Sequence, residues 1–207
     1  MIAIALLAAF VCPASQKVQA DLKEWKKQGA SLSALGLKPA LCSKPQGVDI
    51  WDSHLTTEGD KLVQVRFKCG NTRQLRIGVF VPLAGGGMCR VDGEDLSMDT
   101  DGDAKRILDF VELTRPDRRV IQVKDQSDGA LQVTFYEVQG WSLKEIFSSQ
   151  LLETLATAHG PLPQRWTIQL GSDFPKSIRT QRCVEGAPCD DAEDFVYAKA
   201  GGKYVKK

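Results

Sequence analysis

Residues 61–83 constrain this chain most. Val63, Val65 and Phe67 alternate with Gln64, Arg66 and Lys68, and beyond Cys69-Gly70-Asn71-Thr72 the apolar residues Leu75, Ile77, Val79 and Val81 again recur at every second position. Successive side chains of an extended chain point to opposite faces, so a period of two marks a strand with one face against a core. Turn-forming residues separate the two runs, and the stretch is predicted to be an antiparallel hairpin of half-buried strands. Shorter runs at 107–113, 120–124, 131–138, 166–170 and 178–183 continue the theme, and 195–198 with 204–205 form a closing hairpin across Gly201-Gly202. Within 131–138, Leu131, Val133 and Phe135 share one face and Thr134 and Tyr136 the other.

Two segments read as helices. Residues 21–28 place Leu22 and Trp25 on one face and end at Gly29. In 141–159, Ser142 and Glu145 have capping-box spacing, Leu143, Ile146, Phe147, Gln150, Leu151 and Leu155 fall near one helical stripe, and Gly160-Pro161 stops it. A strand with Trp141, Leu143 and Phe147 on one face competes, but the pattern outlasts an ordinary strand and favours the helix. The fold class expected is mainly β, an antiparallel sheet or sandwich with one or two helices; α+β is the alternative.

At 207 residues the chain is expected to hold one folded domain. Residues 2–11 are an unbroken apolar run, the length of a signal-peptide core and too short for a membrane helix. Val18-Gln19-Ala20 offers a small-x-small site before Asp21, with Pro13-Ala14 before Ser15 as its rival. The expectation is a signal peptide over 1–20 and a single disulfide-stapled domain over 21–207, secreted or periplasmic, with a lipid anchor on Cys12 as a minor alternative. No later apolar run is long enough for a transmembrane segment in the mature chain.

Such processing leaves five cysteines, Cys42, Cys69, Cys89, Cys183 and Cys189. In an oxidising compartment disulfides are expected, with one thiol left over. Cys183 and Cys189 flank Gly186 and Pro188 and make the favoured pair; Cys69 and Cys89 are a second, with Cys42 as rival partner for either. No spacing suits zinc. Losing Lys17 takes one from the 27 basic residues, leaving 26 against 26 acidic ones and no net charge. Phosphate neutralisation supplies most of a nucleic-acid binder's affinity, so nucleic acid is not an expected partner. Arg115, Arg118 and Arg119 surround Asp117 and read as a solvated turn, and Gly85-Gly86-Gly87 lacks the Lys and following helix of a phosphate loop.

Among chemistry-bearing clusters, Asp99-Thr100-Asp101-Gly102-Asp103 places carboxylates at alternate positions of a tight loop, as calcium loops do. As an EF-hand it fails, with Ala104 at the sixth position and Phe110 at the twelfth. The stretch from 99 to about 147, including the strand 107–113, Val120 to Asp125 and Val138-Gln139-Gly140-Trp141, resembles secreted calcium-loop β-repeats of the FG-GAP/VCBS type. That resemblance implies a β-rich extracellular module of the kind found in adhesion and carbohydrate-binding proteins, calcium as a cofactor held by Asp99, Asp101 and Asp103, and a strand at 141–147. Asp49, Asp52, Ser53 and His54 lie within six residues and would suit acid–base work. His159 reads as a helix C-terminal residue. A second acidic run, Asp190, Asp191, Glu193 and Asp194, reads as solvated.

The function expected is an exported, non-enzymatic binding or envelope-associated interaction protein whose partner is a protein, glycan or envelope component. The alternative is a secreted hydrolase with catalytic residues His54, Asp49 and Asp52, supported by calcium. An inhibitor-like loop at 183–189 is a third reading.

Overall fold

The computed structural model describes residues 11–19, 32–42, 44–57, 59–101, 104–127, 130–157, 160–184 and 188–207, with Asp101, residues 151–157 and 160–166 and Val184 described by backbone alone. The fold is mainly β. Its strands are β1 (Lys17–Val18), β2 (Gly47–Asp52), β3 (Lys61–Cys69), β4 (Thr72–Pro82), β5 (Met88–Gly93), β6 (Met98–Asp101) and β7 (Lys105–Arg115), followed by β8 (Arg118–Ser127), β9 (Ala130–Gln139), β10 (Ser142–Thr157), β11 (Gly160–Leu170), β12 (Ile178–Val184), β13 (Glu193–Ala198) and β14 (Lys203–Lys206). Helical structure among the described residues is limited to single 3-10 turns at Ala14–Gln16 and Leu32–Leu35, and no helix is long and apolar enough to cross a membrane. The helix expected over 21–28 lies outside the described residues.

The helix expected over 141–159 is instead β10. Its register against β9 slips between Glu145 and Phe147 and again between Gln150 and Leu152. Each β-bulge inserts one unpaired residue. Ile146 is the first insertion, which lets Leu143, Ile146 and Phe147 all be buried although their spacing is that of a helix. Two bulges in a long strand therefore imitate a helical stripe.

Strands β2, β3 and β4 form a meander, and the far ends of β4 pair with β5 and β6. Strands β7 to β14 form a second, longer antiparallel meander. The two are stitched by a short parallel contact, Ser142 with Asp92 and Leu143 with Gly93.

The 61–83 hairpin is formed, but its strands are not half-buried in the way expected. The two-residue turn Gly70-Asn71 pairs Cys69 with Thr72, which sets Val63 opposite Gly78 and Val65 opposite Arg76. Directly paired residues share a face, so the apolar stripe of β3 and that of β4 point to opposite sides of the sheet. Ile77, Val79 and Val81 meet Ile121, Val123, Val138 and Leu143 of the second meander. Val63, Val65, Phe67 and Phe80 pack instead under Leu35, with Leu32, Leu37 and Ala40 beside them. The first sheet is thus covered on both faces, by the second meander and by a strap of residues 32–42. A third cluster lies beyond the second meander, where Ile178 and Tyr204 curl over Val133, Phe135 and Phe147. Phe147 contacts Phe195 edge-on, with centroids 5.1 Å apart.

Three disulfides staple these layers: Cys12–Cys89, Cys42–Cys69 and Cys183–Cys189. The favoured Cys183–Cys189 pair is present, with Cα atoms 4.1 Å apart. The Cys69–Cys89 pair is not. Cys69 adjoins Thr72 at one end of β4 while Cys89 faces Val81 near the other; nine strand residues separate those ends by about 30 Å. Cys42 takes Cys69, and Cys12 rather than a leftover thiol completes the set, so no described cysteine is free.

Gly93, at the seam, adopts φ +105°, and a Cβ there would lie 2.2 Å from the Leu143 carbonyl oxygen. Backbone meets backbone, so neither side can give. Gly93→Ala is expected to cost about 3 kcal/mol or more through overpacking and a disfavoured φ, read as a fall in urea midpoint. A midpoint equal to wild type would show that the two meanders are not joined here.

Candidate functional site

The strap that covers the first sheet is held by side chains of that sheet. Arg76 stands on the strap face of β4 with its side chain 3% exposed. Its Nε and Nη2 both donate to the Pro39 carbonyl, at 3.0 and 2.9 Å, and its Nη1 donates to Leu75 O at 2.9 Å and Asp99 Oδ1 at 2.5 Å. Gln74, also buried, accepts from Leu41 N at 2.7 Å and donates to Asp99 at 3.0 Å. Arg90 donates to Gly36 O. Leu37 nests against Gly78, where a Cβ would come within 2.7 Å of it. A buried guanidinium must satisfy its donors, and the Pro39 carbonyl of the strap, the Leu75 carbonyl of β4 and the Asp99 carboxylate do so here.

Where the strap passes the loop between β5 and β6, a cleft of about 380 Å³ remains. Ile77 and Gly78 of β4 and Val91 and Asp92 of β5 line it alongside Gly36-Leu37-Lys38 of the strap and Glu94, Asp95 and Ser97 of the loop. Arg106 holds that loop: it grips Asp125 with two bonds of 2.6 and 2.7 Å and donates to Leu96 O at 2.7 Å. Charges in the cleft are partly matched. Lys38 pairs with Asp95 at 2.5 Å, and Arg90 with Asp92. Burial would raise the Asp95 carboxyl, but Lys38 and the hydrogen bonds of Ser97 outweigh it and hold it below the usual carboxylate range. Glu94 is exposed at the rim, and no ion pair ties it among the described residues. Three carboxylates against two cations leave the cleft one negative charge.

The residues expected to act in hydrolysis do not converge. Asp49 and Asp52 lie three positions apart on β2 and so point to opposite faces. Asp49 pairs with Arg66 at 3.1 Å, and Asp52 pairs across the ladder with Lys61, which lowers its carboxyl below the usual range. His54 is exposed with φ 55°, and its carbonyl accepts from Arg119 N. The neighbouring Ser53 donates to Asp60, a buried carboxylate that also accepts from Leu55 N at 3.2 Å, Thr56 N at 2.7 Å and Thr56 Oγ1 at 2.9 Å. That cage folds the β2–β3 loop, and it engages the serine beside His54 as a donor.

Of the proposed calcium ligands, Asp99 is the counter-ion of Arg76, the side chain of Asp101 is undescribed and Asp103 lies outside the described residues, as does His159. Among the described residues no three His, Cys, Asp or Glu side chains gather into a metal-binding group. Three of the four acids of the second acidic run pair with cations, Asp190 with Arg182, Glu193 with Lys206 and Asp194 with Arg179, beside an open hollow of about 760 Å³. Residues 185–187 of the small disulfide loop lie outside the described set.

A fourth polar node lies in the second meander. Glu137 accepts from Thr114 Oγ1, from Gln139 at 3.0 Å and from the Tyr197 hydroxyl at 2.9 Å, and Gln139 also donates to Gly202 O. It ties β13 and the β13–β14 turn to β9. Sequence reading missed Asp60, Arg76, Arg90 and Glu137; the one legible signal was the turn at Gly70-Asn71, whose register sets Arg76 beside Val65 on a buried face. Compared with known proteins, the chain matches no family model, no curated protein and no solved structure.

Burial and the Glu137 carboxylate push the Tyr197 phenol from 10.0 up to about 12. The folded state holds that proton more tightly, so its contribution is complete below pH 10 and is lost as pH rises through about 12. Tyr197→Phe is expected to flatten the alkaline fall in stability over that interval, followed by urea midpoints. An unchanged alkaline slope would show that the phenol does not titrate late.

Proposed function

We propose that the protein is an exported, non-enzymatic binding module of the cell envelope or exterior, and that the cleft between strap and β5–β6 loop takes a cationic group on its partner. The observation that carries this reading is the charge arrangement of the cleft. Asp92 and Asp95 are neutralised by Arg90 and Lys38, whereas Glu94 stands at the rim with no cation of its own among the described residues. An ammonium or guanidinium would complete the balance, while the pairs around it supply hydrogen-bond donors and acceptors for a polar ligand body. Three disulfides support export, because such bonds persist in oxidising compartments. The acids and serine near His54 are engaged in ion pairs and loop folding, which favours a binder over the hydrolase.

The test uses Nα-acetyl-lysinamide as probe and its norleucine analogue as control, followed by amide shifts in nuclear magnetic resonance. The lysine probe is expected to move amides of 36–38 and 92–97 with saturation, and the norleucine probe is not. Glu94→Gln should weaken the lysine probe about 1.5- to 5-fold, the range of one exposed ion pair. Equal responses to both probes, or shifts confined elsewhere, would contradict the assignment.

A further inference from the structure

We infer that the targeting segment ends before Cys12, and that residues 11–19 belong to the working protein, where they supply an added strand and half a disulfide to β5. Cleavage after Ala14 or Ala20 would remove Cys12, and lipidation would consume its sulfur in a thioether. The bonding and burial of Cys12 count against both, and the packing of residues 16–18 counts further against cleavage after Ala20.

Cys12 is bonded to Cys89, which is wholly buried in β5. Without it five cysteines remain, two further pairs form, and Cys89 becomes an odd thiol inside the fold. An oxidising compartment makes that an unstable outcome. Cys12 itself is only 5% exposed, which leaves no path for acyl chains on its sulfur. Lys17 and Val18 pair antiparallel with Cys89 and Met88, covering the edge of β5 opposite β4 at the end that β10, paired only at Asp92 and Gly93, does not reach. Gln16, itself buried, donates to the Trp141 carbonyl at 3.2 Å. Val18 also belongs to the cluster beneath the strap, and Gly87 bends with φ +77° where a Cβ would lie 3.0 Å from the Val18 carbonyl oxygen. A removable leader would not be expected to share a disulfide, a strand ladder and a core with the domain that follows it.

The inference rests on the export reading only for the oxidised state of the sulfurs. Its test is the full chain recovered after export, denatured and alkylated without reductant, then measured by intact mass and non-reducing peptide mapping. The expected result is no alkylation, a peptide pair linking Cys12 to Cys89, and an N-terminus at or before Val11. An N-terminus at Ser15 or Asp21 with one alkylated cysteine would overturn the inference and leave export standing, as would an acyl mass on Cys12. Six alkylated cysteines would overturn the inference outright, and recovery of the chain only from the reducing cell interior would overturn export and this inference together. In a Cys12→Ser chain one alkylated residue, Cys89, is expected; none would show that Cys89 has another partner.

Discussion

A guanidinium buried in the first sheet organises the rest. Arg76 cannot lose its charge, and its donors must find partners wherever the chain puts them. They find the Pro39 carbonyl, the Leu75 carbonyl and Asp99. Leaving such a group unpaired would cost about 3–5 kcal/mol, so the strap is not free to leave the sheet without abandoning its cation. Arg90 repeats the device at Gly36 and Arg106 at Leu96. The two walls of the cleft are therefore irregular segments pinned by arginines that project from regular strands.

The same register that buries Arg76 decides the layering. Because the apolar stripes of β3 and β4 face opposite ways, neither face of that sheet can remain in water, and the chain must supply two covers. The second meander is one and reaches the first through Gly93 and Leu143. The strap, fastened by Cys42–Cys69, is the other, and the segment at 11–18 closes the margin beside β5.

Periodicity made the strands legible because it reports directly which residues lie on which face. It misread β10, since a bulge at Ile146 converts strand spacing into helical spacing, and no local residue announces a bulge. The strap has no period for such a reading to use, and its anchors are 33 to 54 residues away in the chain, at Gln74, Arg76 and Arg90. Pairings over such distances depend on register and not on composition. The same holds for the cleft, whose Lys38 and Asp95 are remote in sequence, and for Cys12, whose partner Cys89 lies 77 residues away on β5. Asp49, Asp52 and His54 show the converse: proximity in sequence put them on opposite faces or in solvent.

The central claim is that Arg76 holds the strap and thereby shapes the cleft. Hydrogen–deuterium exchange of the Gly36, Leu37 and Leu41 amides, whose acceptors are Ser33 O, Leu32 O and Gln74 Oε1, tests it most directly in wild type and Arg76→Met. The account predicts slow exchange in wild type and acceleration of about tenfold or more in the variant, equivalent to about 1.4 kcal/mol, with β8 and β9 still protected. Strap amides that exchange as fast in wild type as in the variant would contradict it.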